Sequence, residues 1–270
     1  MDIGTAKPTQ QEMQGIVHHL LSVAEPDEDF SVSRYCEMAT PVLDHILSQG
    51  KVAIIAGGTG FYMDSLIRGN TFAPYPATGR REELEALADR DGIEAVIAML
   101  RKVDPDSADK LHPSDRKRII RAMEVYLETG KSITQHNLQT QQLPPKHSPL
   151  WLGLEDQDRA CLYRRIDLRV ETMLEQGLLD EVRSLLNRGI SEKCTSMQAI
   201  GYKEFVDALS GRCSVAEAVK AVQQASRHYA KRQLTWFRRN RNMHWIRRQE
   251  NDTLEEIVLQ ARQILAESDN

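Results

Sequence analysis

The sequence predicts an α/β fold, a parallel sheet carrying a mostly helical insertion, and three observations lead there. Lys51-Val52-Ala53-Ile54-Ile55-Ala56 is a short apolar run of the kind that forms a strand covered on both faces. It ends in Gly57-Gly58-Thr59-Gly60 and passes into a helical stretch over 61–68. A longer helical pattern over 33–49 precedes it, with Val42, Leu43, Ile46 and Leu47 on one face and Gly50 at its stop. After the glycine turn the chain becomes charged and helical, with helices expected over 80–90, 92–102 and 115–129. Helix, covered strand, glycine turn, helix is the order of a parallel α/β sheet, and the charged stretch reads as a lobe inserted into it.

The remaining elements follow in order. Pro144, Pro145 and Pro149 close the helical lobe with a stiff linker. Leu150-Trp151-Leu152-Gly153-Leu154 is a second strand, and Met243-His244-Trp245-Ile246 a shorter third. Between them, Leu162, Ile166, Val170, Met173, Leu174, Leu178, Val182 and Leu185 recur at spacings of three and four, a long amphipathic helical region with a break at Gly177. The expected division is a core α/β domain over 1–69 and 150–270 and a helical insertion over 70–149.

Composition narrows the function. The 270 residues, 41% of them hydrophobic, suffice for a core in one large or two modest domains. No apolar run approaches the roughly 18 residues of a membrane span, and the first residues have neither a basic nor an apolar leader region, so no membrane partner is expected. Cys36, Cys161, Cys194 and Cys213 form no Cys-x-x-Cys pair, which suits a reducing cytoplasm better than a disulfide scaffold or a thiolate metal site. A net charge of -4 argues against nucleic-acid binding over the whole surface and leaves local stripes to be read.

Two such features stand out. The turn Gly57-Gly58-Thr59-Gly60 converges backbone N–H groups and a helix N-terminus. Either it binds phosphate or diphosphate, with Thr59 donating a hydroxyl, or its glycines only relieve crowding; it is not a Walker A loop, which occurs nowhere in the chain. The stretch from Arg227 to Arg241, continuing to Arg247 and Arg248, holds no acidic residue and interleaves Tyr229, Trp236 and Phe237 with cations. It suits RNA backbone contacts with base stacking, or else it is a helix with aromatics inside and arginines in water. A smaller basic group, Arg116, Lys117, Arg118 and Arg121, either reaches phosphates or pairs with Glu124 and Glu128. His18 and His19, being adjacent, point apart on a strand and suggest no metal site.

Six segments together resemble the bacterial tRNA dimethylallyltransferases, and in the same order: Met1-Asp2-Ile3-Gly4-Thr5-Ala6-Lys7-Pro8; His18-His19-Leu20; Ala56-Gly57-Gly58-Thr59-Gly60-Phe61-Tyr62; Asp115 through Ala122; Met197 through Glu204; and Tyr229 through Phe237. The resemblance runs from Met1 to about Ile246. It implies a P-loop NTPase-like sheet and a transferase that moves the dimethylallyl group from dimethylallyl diphosphate, with Mg2+ as cofactor, to the adenosine 3′ of the anticodon of tRNA. By matching motif positions it implies Thr59 at the reaction centre and Gly57, Gly58 and Gly60 on the diphosphate, with Arg227, Lys231 and Arg232 on the diphosphate or the RNA backbone. For the tRNA anticodon stem-loop it implies Arg81, then Lys117, Arg118, Ile119, Ile120 and Arg121, then Gln198, Ala199, Ile200, Gly201, Tyr202 and Lys203. No residue is assigned to a metal, and a monomer is expected.

In the family the segment matching Met1 to Pro8 is internal, preceded by a P-loop and by a strand carrying the aspartate base. The resemblance therefore implies an incomplete sheet, with Met1 an internal methionine of a longer protein and the 270 residues inactive alone. The alternative is a non-catalytic remnant that still binds tRNA.

Overall fold

The computed structural model describes residues 1–70, 72, 78–142 and 144–268. The chain forms two compact units, Met1–Ile67 with Ser148–Asn270, and Arg68–His147.

In chain order the first unit opens with an irregular segment and α1 (Val32–Ser48), which Ser31 starts by accepting the Arg34 N–H. After α2 (Gly60–Arg68) come the helices of the second unit: α3 (Arg80–Asp91), α4 (Ile93–Val103), α5 (Pro105–Lys110), α6 (Arg116–Thr129) and α7 (Ile133–Gln142). The first unit resumes with β1 (Trp151–Asp156), α8 (Arg159–Glu175), α9 (Leu178–Asn187), a 3₁₀ turn (Ser196–Gln198), α10 (Tyr202–Leu209), α11 (Val215–Phe237), β2 (Met243–Arg248) and α12 (Leu254–Ser268). Gly177, at φ 100°, makes the break between α8 and α9.

β1 and β2 pair in parallel, with Trp151 opposite Met243 and Asp156 opposite Arg248. A side chain at Gly153 would meet the Trp245 ring 2.7 Å away, so the indole lies across the glycine. Val170, Leu178, Val182, Leu185, Met197, Tyr202, Phe205 and Val222 form the core of the first unit, drawn from α8 to α11. Leu84, Val96, Leu100, Ile119, Ile120 and Met123 form that of the second. There the Asp104 carboxylate ties α5 to α7: it accepts from the Ser107 N–H and hydroxyl at 3.2 and 2.8 Å, and from the Thr134 N–H and hydroxyl at 3.1 and 2.7 Å.

The expected strand over 51–56 is a correction. The segment joins no sheet among the described residues, and Val52 and Ile54 are 80% and 87% exposed. A strand exists through a neighbour that takes its N–H and C=O groups, and the described chain brings none to this run. The parallel sheet is instead the pair formed by the two later apolar runs, one residue later in start and two in end than the first of them suggested.

Candidate functional site

The glycine turn and the basic aromatic helix, about 170 residues apart in sequence, meet in the first unit. Gln233 on α11 donates from Nε2 to the Gly58 carbonyl at 3.0 Å, and one turn on Trp236 donates from Nε1 to Asp64 Oδ2 of α2 at 3.0 Å. The Trp236 ring also meets Phe61 edge to face, centroids 6.5 Å apart. This approach demands the glycines: a Cβ at Gly58 would fall 1.8 Å from Gln233 Nε2, and one at Gly60 2.1 Å from the Trp236 ring. Of the two readings left open for the turn, close packing is thus satisfied at both positions. It does not exclude the other, because Gly57 and Thr59 face solvent beside the packed pair.

Thr59 starts α2. Its carbonyl accepts the Tyr62 and Met63 N–H groups at 3.0 and 3.3 Å, while its exposed hydroxyl bonds to nothing among the described residues. A free hydroxyl at a helix N-terminus is suited to an anion.

The cations of the stretch divide sharply. Arg227 is ion-paired to Asp167 and stacks on Tyr163; Arg238 and Arg247 share Glu155 at 2.9 and 3.0 Å; and Arg248 makes a two-pronged bond with Asp156 at 3.1 Å, which Arg165 joins at 3.3 Å. The two arginines hold the Glu155 carboxyl below the usual carboxylate range, Arg238 foremost. So a stripe without acid in the sequence has half of its lysines and arginines neutralised in space, by α8 and by the end of β1. Arg227 in particular is not a free diphosphate ligand. Lys231, Arg232, Arg239 and Arg241 have no acidic partner among the described residues; Arg232 and Arg239 lie over the Tyr229 and Trp236 rings, each 5.4 Å from the centroid.

A second constellation joins the chain's first residues to the segment around Tyr202. The Glu181 carboxylate on α9 accepts the N–H groups of Asp2, Ile3 and Gly4 at 2.6, 3.0 and 3.4 Å and the Tyr202 hydroxyl at 2.5 Å. Burial alone pushes the Glu181 carboxyl up, but these donors, Tyr202 first, bring it below its ordinary value. Burial and the adjacent carboxylate push the Tyr202 hydroxyl far above its own. No sequence pattern singled out Glu181; only its spacing on an amphipathic helix was readable.

In that segment Gln198, Ala199 and Lys203 are exposed, Ile200 is half-buried, and Gly201 and Tyr202 are buried. Tyr202 is fully enclosed, so its side chain builds the core and offers RNA nothing. Gly201, at φ 93°, donates its N–H to Glu204, which caps α10. In the second unit Ile119 and Ile120 are 0% and 2% exposed and pack in the core. They are corrected from RNA contacts to core residues, because helical periodicity sends them inward while Lys117 and Arg118 point out. Arg81 and Arg121 both reach Glu124, at 2.9 and 2.7 Å, and Arg118 faces Asp115 at 3.5 Å. His18 and His19 are exposed, and no three His, Cys, Asp or Glu side chains gather to hold a metal among the described residues. None of the described helices is long and apolar enough to cross a membrane.

A parallel pair of strands set among helices, with a glycine turn packed on a cation-bearing helix, makes this an α/β protein. More narrowly, the sequence model of the IPP transferase family matches residues 1–240, and the chain belongs to that family. A tRNA dimethylallyltransferase of Acetivibrio thermocellus is 43% identical over 267 residues, 98% of this chain and 85% of that protein. Another, of Oceanobacillus iheyensis, is 41% identical over 278 residues, 100% of this chain and 87% of its own. Among solved structures, the tRNA isopentenylpyrophosphate transferase of Bacillus halodurans is similar at a TM-score of 0.69 and 38% identity, covering 100% of this chain and 85% of that one. A eukaryotic dimethylallyltransferase acting on tRNA gives a TM-score of 0.79 at 27% identity, over 97% of this chain and 66% of the other.

Proposed function

We propose that the protein transfers a dimethylallyl group from dimethylallyl diphosphate to N6 of the adenosine immediately 3′ of the anticodon of tRNA. The observation that carries this reading to particular residues is the docking of the Gly57–Gly60 turn on α11 through Gln233 and Trp236. It puts the free Thr59 hydroxyl and a helix N-terminus on the unit that carries Lys231 and Arg232.

In the reaction the adenosine nitrogen forms a bond to the first carbon of the dimethylallyl group as that carbon's bond to oxygen breaks. The diphosphate leaves with the electron pair, and the nitrogen gives up a proton to solvent water. Charge builds on the departing oxygen, so donors and cations fixed there beforehand lower the barrier. Thr59 is assigned to that oxygen, with the turn's N–H groups and Lys231 and Arg232 on the diphosphate; Arg227, held by Asp167, serves to orient α11. Lys117, Arg118, Arg121 and Arg81 in the second unit, and Gln198 and Lys203 in the first, are assigned to the anticodon stem-loop. The described residues gather no cage for Mg2+, and a magnesium ion engaged mainly by phosphate oxygens fits such a site better than one held by protein ligands alone.

The test is an anticodon stem-loop with adenosine in the target position, titrated at several salt concentrations. Binding weakens with salt, and Arg118→Ala with Arg121→Ala lowers the salt slope by about 1 for each phosphate that goes unneutralised. For protein isolated from its native host, the target nucleoside gains the mass of one dimethylallyl group, and Thr59→Ala slows that gain while leaving stem-loop affinity within about twofold. Stem-loop binding no tighter than that of unstructured RNA of equal length, with no mass gain, sinks the reading.

A further inference from the structure

Helices α3 and α6 pack through Leu84, Ala88, Ile119 and Ile120. Arg81 lies in the first turn of α3 and Arg121 in the middle of α6, and both donate to one atom, Oε2 of Glu124, at 2.9 and 2.7 Å. That carboxylate is only 12% exposed, against 52% and 38% for the two arginines. The Thr78 hydroxyl donates to Glu128, also on α6, and so fixes the residues leading into Arg81.

The helix dipole does not explain Arg81, although Glu82 and Glu85 on the same helix favour its charge. The N-terminal end of a helix is electropositive and disfavours cations, and Gly79 supplies no capping side chain to offset it. Two guanidinium groups drawn together also repel, unless an anion sits between them. Glu124 is that anion, and the half-exposed Arg81 guanidinium carries more N–H donors than one carboxylate oxygen can take. Arg118, 75% exposed and one turn before Arg121, extends the same row.

We propose that Glu124 is a positioning residue that holds Arg81 and Arg121 as a fixed pair of forks presented to the backbone phosphates of bound RNA. This rests on the tRNA-binding reading of the second unit. The carboxylate contacts no phosphate; it sets the spacing and orientation of two groups that do. The two arginines keep its carboxyl ionised, below the usual carboxylate range in spite of burial, so the arrangement holds throughout neutral pH.

A stem-loop titration of the full chain separates this from plain electrostatics, because the two predict opposite signs. If Glu124 only adds negative charge, Glu124→Gln tightens binding and steepens its salt dependence. If it positions the forks, Glu124→Gln weakens binding about fivefold to tenfold although the face becomes more positive. Glu124→Asp, with unchanged charge and an arm too short to serve both arginines, weakens it as well. Both variants are close in size to the original, and each is paired with a thermal melt. In an Arg81→Ala, Arg121→Ala background, Glu124→Gln has no further weakening effect. Wild-type or tighter affinity for Glu124→Gln overturns the proposal, and so does equal weakening in the background that lacks both arginines. If that background itself keeps wild-type affinity and salt slope, the RNA reading of this face falls, and the proposal with it.

Discussion

Replacing Glu181 by alanine removes the acceptor for four donors at once, and their burial sets how much each is worth. The Tyr202 hydroxyl donates at 2.5 Å from a fully enclosed side chain, so without Glu181 it is left unpaired at about 1–3 kcal/mol. The N–H groups of Asp2, Ile3 and Gly4 lie nearer the surface and recover water, so their loss adds about 1 kcal/mol, chiefly by freeing the first residues. The expected total is about 2–4 kcal/mol. Tyr202→Phe, which deletes the hydroxyl and leaves the other three bonds, costs about 1 kcal/mol, and the double variant costs less than the sum. Urea unfolding followed by tryptophan fluorescence is the assay, because Trp151, Trp236 and Trp245 all belong to the first unit and report it alone. The pH dependence has a definite sign. The Glu181 pKa is lowered on folding, so its contribution is complete above the ordinary carboxylate value of 4.5 and is lost as pH falls through the lower folded value. The Tyr202 pKa is raised, so its contribution is complete below 10.0 and declines at more alkaline pH. A Glu181→Ala protein within about 0.5 kcal/mol of wild type refutes the reasoning.

Two further outcomes follow from the geometry. Gly60→Ala destabilises the first unit by about 1–3 kcal/mol, because the indole it strikes is held by Asp64 and Phe61, whereas Gly58→Ala costs less, since it strikes the far end of a flexible glutamine; equal unfolding midpoints for the two variants contradict this. Asp104→Ala strips α5 and α7 of their shared acceptor and costs the second unit about 2–4 kcal/mol, read by circular dichroism. Burial raises the Asp104 pKa, and the bonds from Thr134 and Ser107 more than reverse that, so its contribution holds above 3.8 and fades in more acidic solution; a variant that melts like wild type at pH 7 removes the clasp.

The helices of the insertion and the break at Gly177 were legible because they depend on local periodicity and stop signals. The run over 51–56 shows the limit of the same logic. Its composition is that of a strand, but strand formation belongs to a pair, and the run finds no partner strand among the described residues. Ile119 and Ile120 are the reverse case: they lie among the five residues from Lys117 to Arg121 implied as RNA contacts, yet helical geometry sends these two to the core, a distinction available from the sequence by counting turns.

The charge pattern of the candidate site was the least legible, and the reason is specific. Reading along the chain, 227–248 is purely cationic, but Asp167, Glu155 and Asp156 lie some 60 to 90 residues earlier and arrive only through the packing of α8 on α11 and the parallel register of β1 with β2. That register sets Glu155 opposite Arg247 and Asp156 opposite Arg248, so the pairing of strands and the neutralisation of arginines are one event. The cations that escape it, Lys231, Arg232, Arg239 and Arg241, are those on or just beyond the last turns of α11, where Gln233 and Trp236 grip the glycine turn. The surface proposed for the diphosphate is thus shaped by removing charge as much as by supplying it: the carboxylates of β1 confine the free cations to the end of the helix that meets Thr59's turn. Reversing that confinement, with Glu155→Gln freeing Arg238 and Arg247, should raise affinity for RNA of any sequence while leaving the preference for the anticodon stem-loop reduced. A variant that gains affinity and keeps its full preference would show that the paired arginines play no part in selectivity.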